Sequence, residues 1–516
     1  MFINLEVAVI NARVYTMEPG LGTKEAVGVA DGKIALVGST REIIALTDAH
    51  TKVIDAQGKA VLPGFNDAHS HFSAMGVRES YLDLTTVQSK AEALTQVKEA
   101  ARLRNKGEWI IGTGWDESKW EDSAEYLTRD ELDRAVPDHP VALRRIDGHL
   151  WSVNSKALDV LSLPTQAVGY ETLDGEPTGV LKEQAGEAVE KALEPGVDEF
   201  IAGIERAVRI AHLLGVTSVQ DAMVGRKQIT AYRKLHASGR LGVRVAVMPT
   251  VDHLDEMIGL GLGVGFGDDT LRLGAVKVFA DGSIGAGTAA LNGTYRDRPH
   301  ERGVLMWKKE ELEAIVRRAC ENNVQLAVHA IGDRALDQVL DCFAAANADA
   351  KVELRHRIEH AEMITAEQIE RMKRLGLVAS MQPNFTGEWG LPGGMYEQRF
   401  GREMLERLNT LRSVVDAGVH LALGSDCMPF SPLYGIHWAV NAPFPQQRLT
   451  PGEAITAYTK GSAYATFEEH RKGTIATGQL ADLVVLDGDP FVETSDIKDI
   501  SVQYTIFAGK IVYKRG

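Results

Sequence analysis

From Val61 onward, short apolar runs alternate with longer stretches of helical periodicity. No other feature limits the possible folds as much, because the alternation argues for repeated βα units and a parallel sheet. Eight runs read as strands: Val61–Phe65, Val216–Gln220, Val243–Met248, Leu273–Phe279, Val324–Val328, Arg357–Ile358 with its flanks, Leu377–Met381 and Val419–Leu423. Helical stretches precede most of them. Ile201–Leu214 puts Ile204, Ala207, Val208 and Ala211 on one face, and Glu310–Asn322, Ala366–Leu375 and Glu403–Ala417 behave alike. Eight parallel strands with helices between them predict an α/β chain built on a (β/α)8 barrel.

The chain is longer than a barrel needs. It has 516 residues, and a single core stops growing at roughly 250–300 residues. The excess falls in two places. Residues 76–200 separate the first run from the second, far more than a βα connection requires. They carry β runs (Trp109–Gly112, Val141–Arg145) and a helical stretch (Lys90–Leu103), so an inserted α+β subdomain over the barrel mouth is expected. The two ends, 1–60 and 466–516, share a short-stranded texture. Their hairpin and turn signals are Asp31-Gly32, Gln57-Gly58, Asp487-Gly488 and Ala508-Gly509. They are expected to complete one small sheet structure together, with two independent β appendages as the alternative, leaving 61–75 and 201–465 to the barrel.

Charge excludes one class of partner. Lys plus Arg is 56 against 71 for Asp plus Glu, a net charge of −15 with no basic cluster, so nucleic acid is excluded. Three cysteines (Cys320, Cys342, Cys427) are too few and too scattered for a disulfide framework. No signal-peptide pattern opens the sequence, and no run approaches the ~18 apolar residues of a membrane span. A reduced, cytoplasmic setting away from membranes is expected.

The predicted strand ends carry the chemistry, since catalytic groups of a barrel come from that face. Strand one ends in Asp67-Ala68-His69-Ser70-His71. Residues two apart on extended backbone point the same way, so His69 and His71 can meet one metal ion. Strand four carries Lys277 and runs into Asp281-Gly282-Ser283; strands five, six and eight end at His329, His360 and Asp426. A His-x-His pair alone is weak, with about 0.4 expected by chance among 15 histidines. Four histidines and an aspartate at the ends of independently identified runs are a stronger signal. Such ligands suit zinc first, and also manganese, iron or cobalt. A bound metal lowers the pKa of its water toward ~7, and Asp426 is placed to take that water's proton and pass it to the leaving group.

The ordered set His69-x-His71, Lys277, His329, His360 and Asp426 resembles the pattern of the amidohydrolase superfamily. It is closest to the amidohydrolase-3 family, which includes YtcJ-like and N-substituted formamide deformylase-like proteins. The carrying segments are Leu62–His71, Gly112–Asp116, Arg145–His149, Val276–Ser283, His329–Asp333 and Gly424–Asp426. The resemblance implies a (β/α)8 hydrolase with a composite β-sandwich formed by both chain ends. It implies that His69, His71 and Asp426 bind one divalent metal ion, that His329 and His360 bind a second, and that Lys277 bridges them as a carbamate. From the residues alone, a single-metal site and a salt-bridged or substrate-holding Lys277 remain open.

Further candidates surround this set. His149 is a candidate to polarise a substrate carbonyl, or else a cap on the helix that follows it. Trp115, Asp116 and Trp151 are candidates for a substrate pocket, against the alternative of packing within the insertion. Asp281 and Ser283 lie in a glycine-rich loop that can close over substrate, and Gln382 follows strand seven. Asp333-Arg334 and Glu359 are candidates to orient ligands from behind. Cys427 neighbours Asp426 but should point away from it, as an inert buried thiol.

The leading expectation is a metal-dependent hydrolase of a small N-acyl or N-formyl amide, with Asp426 and His149 as catalytic groups. Hydrolysis of a cyclic amide or ester, or deamination, on the same centre is the alternative. A non-catalytic binding protein on a degenerate barrel is the remote one. The expected partner is the small amide-type substrate, with homo-oligomerisation left open.

Overall fold

A computed structural model of the chain describes residues 4–146, 150–347 and 354–516. The chain divides into two compact units, Met1–Ser73 with Ile204–Gly516, and Ala74–Gly203.

The larger unit is α/β, with parallel strands in two sheets. The first sheet contains β1 (Phe65–Ser70), β2 (Val216–Val224), β3 (Arg244–Pro249) and β4 (Leu271–Leu273), side by side in that order. The second contains β5 (Val276–Phe279), β6 (Leu326–Ala330), β7 (Arg357–His360), β8 (Val378–Met381) and β9 (His420–Leu423). Most of these strands are buried on both faces, and Val276, Val278, Ala327, Val328, Ile358, Val378 and Ala379 are wholly inside. That is why they read as continuous apolar runs.

Two expected strands come out differently. Leu273–Phe279 is split at Gly274-Ala275 into β4 and β5, which lie in different sheets. Val61–Phe65 is split at Gly64: Ala60–Pro63 pairs with chain-end strands, and β1 starts only at Phe65. A Cβ on Gly64 would stand 2.3 Å from Thr217 Oγ1, so the crossing from one sheet to the other requires glycine. Gly64→Ala should therefore cost about 1–3 kcal/mol by overpacking, read as a lower urea midpoint.

Among the described residues the expected closed ladder of eight strands is not formed. One isolated bridge, Thr250 to Lys277, links the sheets on the β5 side. On the β9 side the link is one backbone bond, Asp426 N–H to the His69 carbonyl at 2.7 Å, and a side chain: Asp67 of β1 accepts the Ser425 backbone N–H at 3.0 Å. The helices follow expectation at Val197–Leu213, Lys309–Glu321 and Ala366–Arg374. Glu403–Ala417 is broken into Arg402–Leu405 and Leu411–Asp416, with Asn409 between them at φ 52°.

The chain ends share a sheet. Its order is Lys510–Lys514, Val502–Phe507, Leu483–Leu486, Ala60–Pro63, Arg13–Tyr15, Thr23–Lys24. A second sheet holds Lys33–Gly38, Ala26–Ala30, Val7–Ile10 and Lys52–Asp55. Val9, Val29, Ile54, Leu483, Val485 and Ile506 share one hydrophobic cluster. Asp31 and Gly32 both take positive φ, 51° and 68°, the backbone of the tight hairpin that the dipeptide signals.

The smaller unit has a six-stranded mixed sheet. Its order is Tyr170–Leu173, Glu176–Lys182, Leu150–Val153, Val141–Arg145, Ile110–Trp115, Leu82–Asp83, with the helix Lys90–Arg102 supplying Ala93 and Val97 to its core. Among the described residues, no helix is long and apolar enough to cross a membrane.

Candidate metal centre

His69 lies near the end of β1 and His71 just beyond it, with ring centroids 5.7 Å apart. Asp426 follows β9. Its Oδ1 stands 3.0 Å from His71 Nε2 and 3.7 Å from His69 Nε2. One ligand atom from each of the three residues lies within 4.8 Å of the others. The backbone is bent to bring this about. His360, Ala361, Asp426 and Cys427 all have positive φ, 72°, 51°, 54° and 58°. Each such non-glycine residue costs on the order of 1–3 kcal/mol, and such outliers cluster at functional sites.

The hydrogen bonds behind the rings fix where their lone pairs point. His69 Nδ1 donates to the Glu359 carboxylate through a short contact, and His71 Nδ1 donates to the Ala222 carbonyl at 3.2 Å. Both Nε2 atoms then present lone pairs toward Asp426 Oδ1, which is buried and accepts no hydrogen bond. Three electron-rich atoms converge, and the Lys277 amine reaches one of them, His69 Nε2, only at the 3.5 Å limit of a hydrogen bond. A cation resolves that arrangement, so the donor set fits a divalent metal ion.

The neighbouring groups continue the pattern. His360 packs 4.8 Å from His69 and 4.5 Å from His329, centroid to centroid, and its Nδ1 is buried without a partner. His329 Nε2 donates to the Gly282 carbonyl at 3.0 Å, which leaves Nδ1 as its lone pair. Burial, reinforced by the charge on Lys277, drives His329 down to about 3. Burial likewise holds His69 and His360 far below the usual imidazole range. At neutral pH these rings are uncharged, the form in which imidazole ligates a metal. Lys277 is 1% exposed, with Nζ 3.5 Å from His69 Nε2. Burial lowers its ammonium to about 8, against the opposing charges of Glu359 and Asp426.

Other expected residues are placed differently. Trp115 is fully buried in the core of the smaller unit and donates Nε1–H to the Leu143 carbonyl at 3.1 Å, so it packs that core rather than walling a pocket. Trp151 is likewise buried, 5% exposed, in a second cluster of the same unit. Asp116 caps the turn Glu117–Lys119 and pairs with Lys119 and Arg145, which occupies its carboxylate. Asp281 accepts the backbone N–H groups of Ala290, Ile331 and Gly332 at 2.8–3.0 Å. It is thereby a tie between loops, with its carboxyl raised by burial to about 6. Ser283 Oγ accepts the Ala286 N–H within its own exposed loop. Asp333 and Arg334 bond to Asn292 and to the Arg302 and Gly303 carbonyls, away from the ligand rings. His149 lies outside the described residues. Gln382 is buried with Oε1 unpartnered. Cys427 Sγ accepts the His71 N–H at 3.3 Å, and burial pushes its thiol well above the usual range, as an inert thiol requires.

Two residues behind the centre escaped the reading of the sequence. Asp67 accepts N–H bonds from His69 and Ser425, plus the Ser425 hydroxyl, and joins the two strand ends that carry His69 and Asp426. Burial, partly offset by the Ser425 bonds, raises its carboxyl to about 7. Arg357 forks onto Glu359. In both cases the signal was the two-residue alternation already used for the histidines: Asp67 with His69, and Arg357 with Glu359.

Comparisons with known proteins show the family. The Amidohydrolase family profile matches residues 52–513. The YtcJ protein of Bacillus subtilis is 32% identical, over 97% of this chain and 98% of that protein. The N-substituted formamide deformylase of Arthrobacter pascens is 30% identical, over 99% of this chain and 98% of its own. The crystal structure of an uncharacterized metal-dependent hydrolase from Pyrococcus furiosus superposes with a TM-score of 0.82 at 32% identity, covering 94% of this chain and 99% of that one. With a match across nearly its whole length, the chain belongs to the amidohydrolase family of enzymes.

Proposed function

We propose that this enzyme is a metal-dependent hydrolase that cleaves the C–N bond of a small N-acyl or N-formyl amide. The carrying observation is the convergence of His69, His71 and Asp426, with one ligand atom of each within 4.8 Å of the others and the buried Asp426 Oδ1 accepting no hydrogen bond. The likeness to a formamide deformylase and to a metal-dependent hydrolase supports the reading. We also infer that the two parallel sheets together make a (β/α)8 barrel, and that the chain-end sheets make a β-sandwich.

His69, His71 and Asp426 would hold one ion, with zinc the first choice. His329, His360 and a Lys277 carbamate would hold a second. Lys277 acquires that group when its neutral amine attacks CO2 and loses a proton, which turns a cation into an oxygen donor. The bound metal supplies Lewis acidity and an acidified water. Asp426 accepts the proton of the attacking water and delivers it to the departing amine nitrogen. Glu359 and the Ala222 carbonyl hold the His69 and His71 imidazoles in the tautomer that keeps Nε2 unprotonated. Phe279, 4.9 Å from the His329 ring, and Phe385, stacked on His360, line the ligands with apolar surface. That surface suits a hydrophobic substituent on the amide. Gln382, with its unpartnered Oε1, is a candidate to accept the amide N–H.

The test is metal analysis followed by a substrate screen. Protein stripped with a chelator should lose turnover of N-acyl or N-formyl compounds and regain it with zinc, cobalt or manganese. Protein that binds none of these ions would refute the proposal. Metal-dependent turnover confined to esters or cyclic amides would redirect it to those substrates.

A further inference from the structure

We propose that Arg357 is a positioning residue for the metal centre, fixing both the ring and the backbone of His69. This rests on the metal-centre reading above. Arg357 lies on β7, is wholly buried, and touches side chains or carbonyls from four strands. Its Nε and Nη2 donate to the two Glu359 oxygens at 2.7 and 3.0 Å. Nη2 also reaches the Ala68 carbonyl at 2.7 Å and Ser380 Oγ at 3.0 Å, and Nη1 donates to Gln220 Oε1 through a short contact.

The direction of these bonds gives the residue its role. Glu359 Oε2, gripped by Arg357, is the atom that accepts from His69 Nδ1. The Ala68 carbonyl belongs to the peptide that leads into His69. One guanidinium therefore holds the His69 ring through a carboxylate and the His69 backbone directly. Its remaining contacts span the gap between the sheets: Ala68 and Gln220 belong to β1 and β2, Glu359 and Ser380 to β7 and β8. Among the described residues no continuous ladder crosses there, so the fork adds to the single Asp426-to-His69 backbone bond what a ladder would supply.

Stability alone does not account for this pair. A buried ion pair is commonly replaceable by neutral groups of similar volume without loss of stability. A rigid planar fork, in contrast, is what simultaneous contact with a carboxylate, a carbonyl and a hydroxyl demands, and a lysine cannot reproduce it. Partners behind a metal-bound histidine typically govern metal affinity 10–100-fold.

The experiment compares wild type, Arg357→Lys and the neutral double variant Arg357→Met/Glu359→Gln. Each full-length protein is stripped of metal, and its thermal midpoint is measured in chelator. Zinc affinity is then read by competition with a chromophoric chelator, and ligand geometry from the visible spectrum of bound cobalt. The expected result is a metal-free midpoint close to wild type for the double variant, zinc binding about 10–100-fold weaker in both variants, and a shifted cobalt spectrum. A folded variant with wild-type affinity and spectrum overturns the proposal. Arg357→Lys keeps the charge and decides the matter if the double variant does not fold. Wild-type protein that binds neither zinc nor cobalt instead refutes the metal centre itself, which separates the two failures.

Discussion

Asp426→Asn should lower kcat by about 10²–10⁴-fold, the range a positioned acid–base group contributes, while metal content stays near wild type. The amide keeps an oxygen where Oδ1 meets the two imidazoles, 3.0 and 3.7 Å away, so a ligand atom survives the change. It cannot accept a proton at neutral pH. A site that loses turnover but keeps its metal thus isolates proton transfer from ligation. Elemental analysis beside steady-state kinetics makes the separation. Turnover within a few-fold of wild type would assign the proton to another group. Loss of the metal along with turnover would make Asp426 chiefly a ligand.

The second large effect is expected at Lys277. Its amine is buried beside His69 and its ammonium is lowered to about 8, so roughly a tenth is neutral at pH 7. Lys277→Ala should reduce the bound metal from two ions to one. It should reduce kcat/KM on the order of 10²–10³-fold, the several kcal/mol that a Lewis acid supplies. Formate or acetate can occupy the vacated space and offer the missing oxygens, so partial rescue by short carboxylates is expected. Metal content unchanged from wild type would refute the bridge. The sign of the pH dependence follows from the lowered value. The neutral amine, which alone attacks CO2, increases tenfold per pH unit up to about 8 and then levels off. Carboxylation of metal-free protein with labelled bicarbonate should follow that curve.

The histidines and aspartate that converge at the candidate site were readable because strand geometry is short-ranged. A two-residue repeat puts His69 and His71 on one side, and a buried run announces where β6, β7 and β9 end. The seams were not readable. Whether the β9 side meets β1 in a full ladder, or through one backbone bond and the Asp67 carboxylate, depends on groups far apart in the chain. The break at Gly274-Ala275 is a sidestep of two residues inside an otherwise ordinary apolar run. Trp115 shows a different limit. Its indole suits a pocket wall or a core equally well, and only the full burial of the ring and its bond to the Leu143 carbonyl decide for the core. Asp281 likewise sits in the expected loop, but three backbone amides had already claimed its carboxylate.

The strand Ala60–Pro63 lies between Arg13–Tyr15 and Leu483–Leu486, antiparallel to the latter. This has a consequence for biosynthesis. The segment that seals the sheet leaves the ribosome hundreds of residues after its neighbour, so the Val61 edge stays open while the rest of the chain is made. Contacts so distant in sequence form slowly, and exposed strand edges invite wrong partners in the interval. Shortening the chain before Leu483 would leave that edge permanently bare. The penalty would appear as aggregation of nascent protein rather than as a defect in chemistry at the metal centre.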